Sequence, residues 1–183
     1  YRAIPGAVIC DVTDITMLES FLRTAKDLPG VKYLRVGRKE SYPVYAPGTE
    51  LTIGKGNVLR EGTDAVIIAT GIMVHEAMEA AKKLAAEGVE AAVIDPYTVK
   101  PLDVELIRAW AAKTGAVVTA ENHNKIGGLY SAVKEALEGE AKVGYVAVED
   151  EFGEVGPQSY LRQRYDLTDE HIVRAVKETI ARK

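Results

Sequence analysis

Residues 64–95 read D-A-V-I-I-A-T-G-I-M-V-H-E-A-M-E-A-A-K-K-L-A-A-E-G-V-E-A-A-V-I-D. Ala65–Ala69 is an unbroken apolar run of the length and kind buried on both faces of a parallel sheet. Gly71 turns the chain into a helix with Val74, Ala77, Met78, Ala81, Leu84 and Ala85 along one face, and Gly88 ends it. Val89–Ile94 is the next apolar run. Strand, helix, strand at this spacing is a right-handed crossover between parallel neighbours.

The pattern repeats downstream. Pro101 and Asp103 start a helix bearing Leu106, Ile107 and Trp110, which Gly115 stops. Ala116–Ala120 is a third strand, and Gly127-Gly128 opens a helix with Leu129, Ala132, Val133, Ala136 and Leu137. Val143–Val148 is a fourth strand. Thr168 caps a last helix carrying Ile172, Val173, Val176 and Ile180. The expected fold is α/β: a three-layer α/β/α unit with a mainly parallel sheet.

Upstream, residues 1–40 hold one β-α-β piece. Ala7–Ile9 and Val31–Val36 are the strands; Thr13 or Asp14 caps a helix with Met17, Leu18, Phe21, Leu22 and Ala25. One such unit cannot bury both faces of its sheet, so it reads as the remnant of a domain whose earlier half is missing. A chain opening on Tyr1 without Met is read likewise as processed or truncated. Residues 41–63 are a linker with a small hairpin, Leu51–Ile53 and Asn57–Leu59 around Gly54-Lys55-Gly56. Residues 64–183 are the second domain.

The 183 residues are 47% apolar and 27% charged, the proportions of a globular protein, and no apolar run approaches the ~20 residues of a membrane span. Net charge is −4. Residues 1–39 carry seven Lys/Arg against four Asp/Glu; the remainder carries sixteen against twenty-three. An acidic larger part argues against nucleic acid as a partner, and a basic first part suits a small anion. The single Cys10, in an apolar stretch, excludes an internal disulfide, reads as a buried structural thiol, and places the protein in the cytoplasm.

Three places can carry chemistry. At Ala69-Thr70-Gly71 a strand ends and a helix begins, where anions and ligands gather, although no dinucleotide or Walker glycine pattern is present. Gly71 itself reads as a tight strand-to-helix turn. Glu121-Asn122-His123-Asn124 before Gly127-Gly128 offers an acid/base pair or a polar loop bonded across an interface, and matches no metal-ligand spacing. His75 and His171 each stand alone on a helix. Lastly, alternation along Tyr33–Arg38 points Arg35 and Arg38 to opposite faces. Arg38, beyond the strand, can chelate a phosphate or serve an ordinary surface ion pair.

Six motifs in order along the chain resemble transketolase, of the thiamine-diphosphate enzyme superfamily. R-A-I-P-G (Arg2–Gly6) with Asp14, and Y-L-R-V-G-R (Tyr33–Arg38), resemble the end of its pyrimidine-binding domain. Ile53–Gly71, Asp95–Asp103, Ala120–Leu129 and Asp150–Gly156 resemble its C-terminal domain, most closely in transketolases split into two polypeptides. The resemblance implies transfer of a two-carbon ketol unit between sugar phosphates, using thiamine diphosphate and Mg2+. It implies that Arg38 grips the substrate phosphate. It assigns no catalytic, cofactor-binding or metal residue to this chain, since those motifs belong to the diphosphate-binding subunit or domain and the earlier pyrimidine half-domain. The implied partners are that N-terminal subunit, a second copy through the C-terminal domain, and sugar phosphates, with no nucleic acid and no membrane. The chain alone is expected to be inactive. A 2-oxo-acid dehydrogenase β-chain, a deoxyxylulose-phosphate synthase, and a purely structural dimerisation module are the alternatives.

Overall fold

A parallel pair of short strands opens the structure, a computed structural model that describes residues 1–37 and 41–183. Strand β1 (Val8–Asp11) pairs with β2 (Lys32–Arg35), and helix α1 (Ile15–Ala25) crosses between them. Asp14 caps α1: its Oδ1 accepts from the Met17 N–H at 2.9 Å, satisfying an otherwise orphaned amide. Its Oδ2 accepts from the N–H groups of Val44 and Tyr45 at 2.7 and 2.8 Å. One carboxylate therefore starts a helix and pins the connection that follows. Met17, Phe21 and Ala25 pack with Val8 and Cys10, and Leu51 and Tyr97 complete that cluster from further along the chain.

The second sheet takes strands β3 (Asn57–Arg60), β4 (Ala65–Ala69), β5 (Ala91–Asp95), β6 (Ala116–Asn124) and β7 (Lys142–Val148). Their spatial order is β3-β5-β4-β6-β7, with β3 alone antiparallel. Between and after them run α2 (Met73–Ala86), α3 (Val104–Thr114), α4 (Leu129–Leu137), α5 (Gln158–Arg164) and α6 (Asp169–Ile180). Ala65, Ile67 and Ala69 face a core built with α2 and α6, while Val66 and Ile68 face one built with α3 and α4. The result is the expected three-layer α/β/α fold. Every residue of β4 is fully buried, and each of its Val and Ile side chains contributes about 1.5–3 kcal/mol by burial. Among the described residues no helix is long and apolar enough to cross a membrane.

Three elements differ from the sequence reading. The anticipated hairpin does not form: Leu51–Ile53 is no strand, and Asn57–Arg60 pairs antiparallel with β5 instead. Leu51 is drawn into the core beside α1, which carries its segment away from β3. Strand β6 continues through Glu121–Asn124, its pairing with β7 shifting register after Ala120. Helix α5 carries no apolar stripe and buries no residue, so periodicity gave it no signal.

Asp95, at the carboxyl end of β5, joins the two parts. It is fully buried; Oδ2 accepts from the Thr13 hydroxyl at 2.7 Å and the Tyr45 hydroxyl at 2.9 Å, and Oδ1 from the Tyr97 N–H at 2.9 Å. Burial pushes its carboxyl up to about 6, against the pull of these three donors. A folded-state value above the ordinary 3.8 means that the folded chain holds this proton more tightly than the unfolded chain. Its contribution to stability is full below pH ~4, falls as pH rises through about 6, and is flat above. We predict that, from pH 4 to 7.5, the native protein loses about 2 kcal/mol of unfolding free energy relative to Asp95→Asn. Denaturant titrations of both proteins across that range measure this, and a difference independent of pH contradicts it.

Candidate functional site

Charged groups collect where strand ends meet. Strand β1 ends at Asp11, β2 at Arg35, β4 runs into Thr70-Gly71, and β6 carries Glu121 and His123 in its last turns of register. Arg35 Nη1 donates to Asp11 Oδ2 at 3.0 Å, and the Asp11 side chain is 13% exposed. Burial pushes the Asp11 carboxyl up, and the Arg35 guanidinium pulls it back. Gly71 sits at φ +57°, and a Cβ there would lie 2.8 Å from both Asp11 carboxylate oxygens. Glycine at this strand-to-helix turn thus serves the left-handed backbone and admits the carboxylate.

Glu121 is buried, and its two oxygens accept from the Leu129 and Tyr130 N–H groups at 2.7 and 2.8 Å. These are first-turn amides of α4, whose N-cap Gly128 has no side chain to offer them. A carboxylate there also meets the positive end of the helix dipole. Burial pushes the Glu121 carboxyl up, while those two amides and then His123 draw it down; Asp11 adds a smaller upward push. His123 Nδ1 lies 3.8 Å from Glu121 Oε2 and 2.8 Å from the Asn124 carbonyl oxygen, with half its side chain exposed.

The arrangement divides the work. Both oxygens of Glu121 are held by α4, and Asp11 is held by Arg35, so the carboxylates organise the site. Arg35 and His123, one-third and one-half exposed, are its solvent-facing groups and suit an anion. Of the residues singled out in the sequence, the fold brings Gly71, Glu121, His123 and Arg35 to this place. Arg38 lies outside the described residues. Asp11 was missed, although a lone acid closing the apolar run Ala7–Cys10 was the available signal.

The other single residues find local partners. Cys10 is fully buried, and burial, then Asp95 and Asp11, push its thiol up, which suppresses the thiolate. His75 stacks on Tyr42 with ring centroids 3.9 Å apart. His171 sits between the Thr168 hydroxyl at 2.7 Å and Asp166 at 2.9 Å. Among the described residues no three His, Cys, Asp or Glu side chains converge as a metal requires. The Mg2+ that accompanies thiamine diphosphate therefore finds no ligand set among the described residues.

The model of the transketolase C-terminal domain matches residues 54–172. A 6-deoxy-6-sulfo-D-fructose transketolase subunit of Clostridium sp. is 44% identical over the whole chain, which covers 57% of that subunit. A 1-deoxy-D-xylulose-5-phosphate synthase of Heliobacterium modesticaldum is 40% identical over 97% of the chain, which covers 28% of it. The solved structure of a split-gene transketolase, described as an inactive beta4 tetramer, superposes with a TM-score of 0.94 at 42% identity. That match covers 98% of this chain and 60% of the other. The chain thus spans little more than half the length of these subunit-sized relatives.

The packing of Glu121 against Gly128 yields a test. A Cβ on Gly128 would overlap Glu121 Oε2 and sit 2.8 Å from His123 Nδ1. Gly128→Ala is expected to lower unfolding free energy by about 2 kcal/mol or more, since the carboxylate must leave its amides or α4 must shift. Urea denaturation reads the change, and an unaltered midpoint contradicts it.

Proposed function

The chain belongs to the transketolase family through its C-terminal domain, and we propose that it is the C-terminal part of an enzyme that moves a two-carbon ketol unit from a ketose phosphate to an aldose phosphate. The observation that carries this reading is similarity along the entire chain to a transketolase subunit, together with the fold of a split-gene transketolase. Residues 1–40 are the end of a pyrimidine-binding domain, 41–63 a linker, and 64–183 the C-terminal domain. Thiamine diphosphate and Mg2+ are held mainly by another chain or segment, the diphosphate-binding part. The enzyme works in the cytoplasm and pairs two copies through this C-terminal domain.

Arg38 grips the sugar phosphate in this reading. It follows β2 by three residues in the sequence. The support for this role is the stretch Tyr33–Arg38, which resembles the last strand of the transketolase pyrimidine-binding domain. A bidentate guanidinium–phosphate contact far from the reacting carbonyl supplies binding energy that positions the ketose.

A second reading has a specific observation behind it: the 40% identity to a 1-deoxy-D-xylulose-5-phosphate synthase. The two separate on product. The chain reconstituted with its diphosphate-binding partner, thiamine diphosphate and Mg2+ is expected to transfer ketol units between sugar phosphates. Formation of 1-deoxy-D-xylulose 5-phosphate instead selects the second reading.

Two outcomes follow for kinetics. The isolated chain with cofactor and Mg2+ is expected to give no turnover, and measurable ketose-phosphate cleavage by the pure chain overturns that. In the reconstituted enzyme, Arg38→Ala is expected to raise the donor KM at least about tenfold, the loss of a charged hydrogen bond worth about 1.5–3 kcal/mol. An unchanged donor KM removes Arg38 from the phosphate site and favours an acyl-group dehydrogenase of the same superfamily.

A further inference from the structure

The two edges of the five-stranded sheet are built differently. At one edge, β3 is four residues long and its register with β5 slips between Val58 and Arg60, a form that discourages further pairing. At the other, β7 is seven residues long and keeps one register with β6 from Lys142 to Val146. Neither proline nor a charged residue interrupts Val143–Val148. Among the described residues no strand lies beside the outer side of β7, so its outward amides and carbonyls are open to a partner. A groove of about 470 Å3 runs along this edge, lined by the consecutive residues Val143–Ala147, with Tyr130 of α4 and Arg174 of α6 among its walls.

The groove is polar in the electrical sense. Gly144 lies against Thr179 and Ala175, so the end of α6, with Arg182, flanks the start of β7. Arg182 directs its N–H groups to the Glu178 carbonyl and the Thr179 hydroxyl, and no carboxylate takes its charge among the described residues. Glu149, Asp150 and Glu151 follow the other end of the strand. Beside that acidic end Phe152 and Val155 are 98% and 102% exposed. Their loop is nevertheless tied down. The Glu154 N–H donates to Tyr165 Oη at 2.7 Å, and the Tyr165 hydroxyl donates to the Phe152 carbonyl at 3.0 Å. Arg164 donates to Glu151 at 2.9 Å and to Glu154 at 2.7 Å. Apolar side chains presented on an already ordered loop lose little entropy when they are covered.

We infer that β7 pairs antiparallel with β7 of a second copy of this chain, joining the two five-stranded sheets across a two-fold axis. The inference rests on the reading that the C-terminal domain dimerises, and it assigns the surface. A two-fold pairing is self-complementary: it sets Glu149–Glu151 of one copy beside Arg182 of the other, twice. It also brings the loop bearing Phe152 against the start of the partner's strand. Main-chain hydrogen bonds along Val143–Ala147 supply the recognition, as in other strand additions to an open edge.

The test combines sedimentation equilibrium with peptide-level hydrogen exchange on the native chain. The amides of residues 143–147 are expected to exchange at least about tenfold more slowly at concentrations where the chain is dimeric than where it is monomeric. The exposed-site variants R174E/R182E and F152S are each expected to weaken the dimer at least tenfold while leaving the circular dichroism spectrum unchanged. A dimer whose 143–147 exchange does not depend on concentration overturns the β7 surface and leaves dimerisation itself standing. A chain monomeric at every concentration sampled overturns both. Ketol transfer by the reconstituted enzyme is measured separately and decides the family activity in either case.

Discussion

The Asp95 carboxylate is the point on which the arrangement of the chain depends. It stands at the end of a strand buried on both faces, yet none of its three donors comes from a strand of that sheet: Thr13 precedes α1, Tyr45 lies in the connection, and Tyr97 follows β5. A buried carboxylate is costly unless its lone pairs are met, so the energetic demand of one residue selects the placement of three segments. Tyr97 then fills the cluster under α1 with its ring, edge-on to Phe21 at 6.3 Å between centroids. Through this junction the β-α-β piece, which has too few strands for a core of its own, borrows one from the larger unit.

The same junction explains why charge gathers at one rim. Once β1 is docked against the carboxyl side of β5, also touching Lys100 through the bridge at Ile9, its own carboxyl end faces those of β4 and β6. Asp11 then meets Gly71, and Glu121 caps α4 from the neighbouring strand. Carboxylates committed to a helix or to an arginine are poor proton carriers, because any proton taken up must displace a hydrogen bond that the fold uses. The groups left facing water at this rim are Arg35 and His123.

How much of this was legible in the sequence follows from where the information is local. Ala65–Ala69 could be read to the residue, because five consecutive apolar residues between Asp64 and Thr70 permit one outcome. The α1 cap at Asp14 and the α3 cap at Asp103 were legible for the same reason: the capping side chain and its amide lie three residues apart. Asn57–Arg60 was legible as a strand but its partner was not, since alternation says which face is buried and nothing about which neighbour bonds. Glu121–Asn124 read as a loop because its side chains are polar, while the backbone continues in the sheet and Glu121 is buried by its bonds to α4. Asp95 and Asp11 were invisible as sites because their partners are 82, 50 and 24 residues away in sequence.

An α/β layer with one blunted edge and one open edge has a direction of growth, and here that direction is set apart from the charged rim. Strand β7 lies outermost in the sheet, whereas Asp11, Arg35, Gly71 and Glu121 gather around the ends of the central β4 and β6. A pairing along β7 uses hydrogen bonds in the plane of the sheet, and the rim is approached along the strands. The open edge and the charged rim therefore draw on different residues.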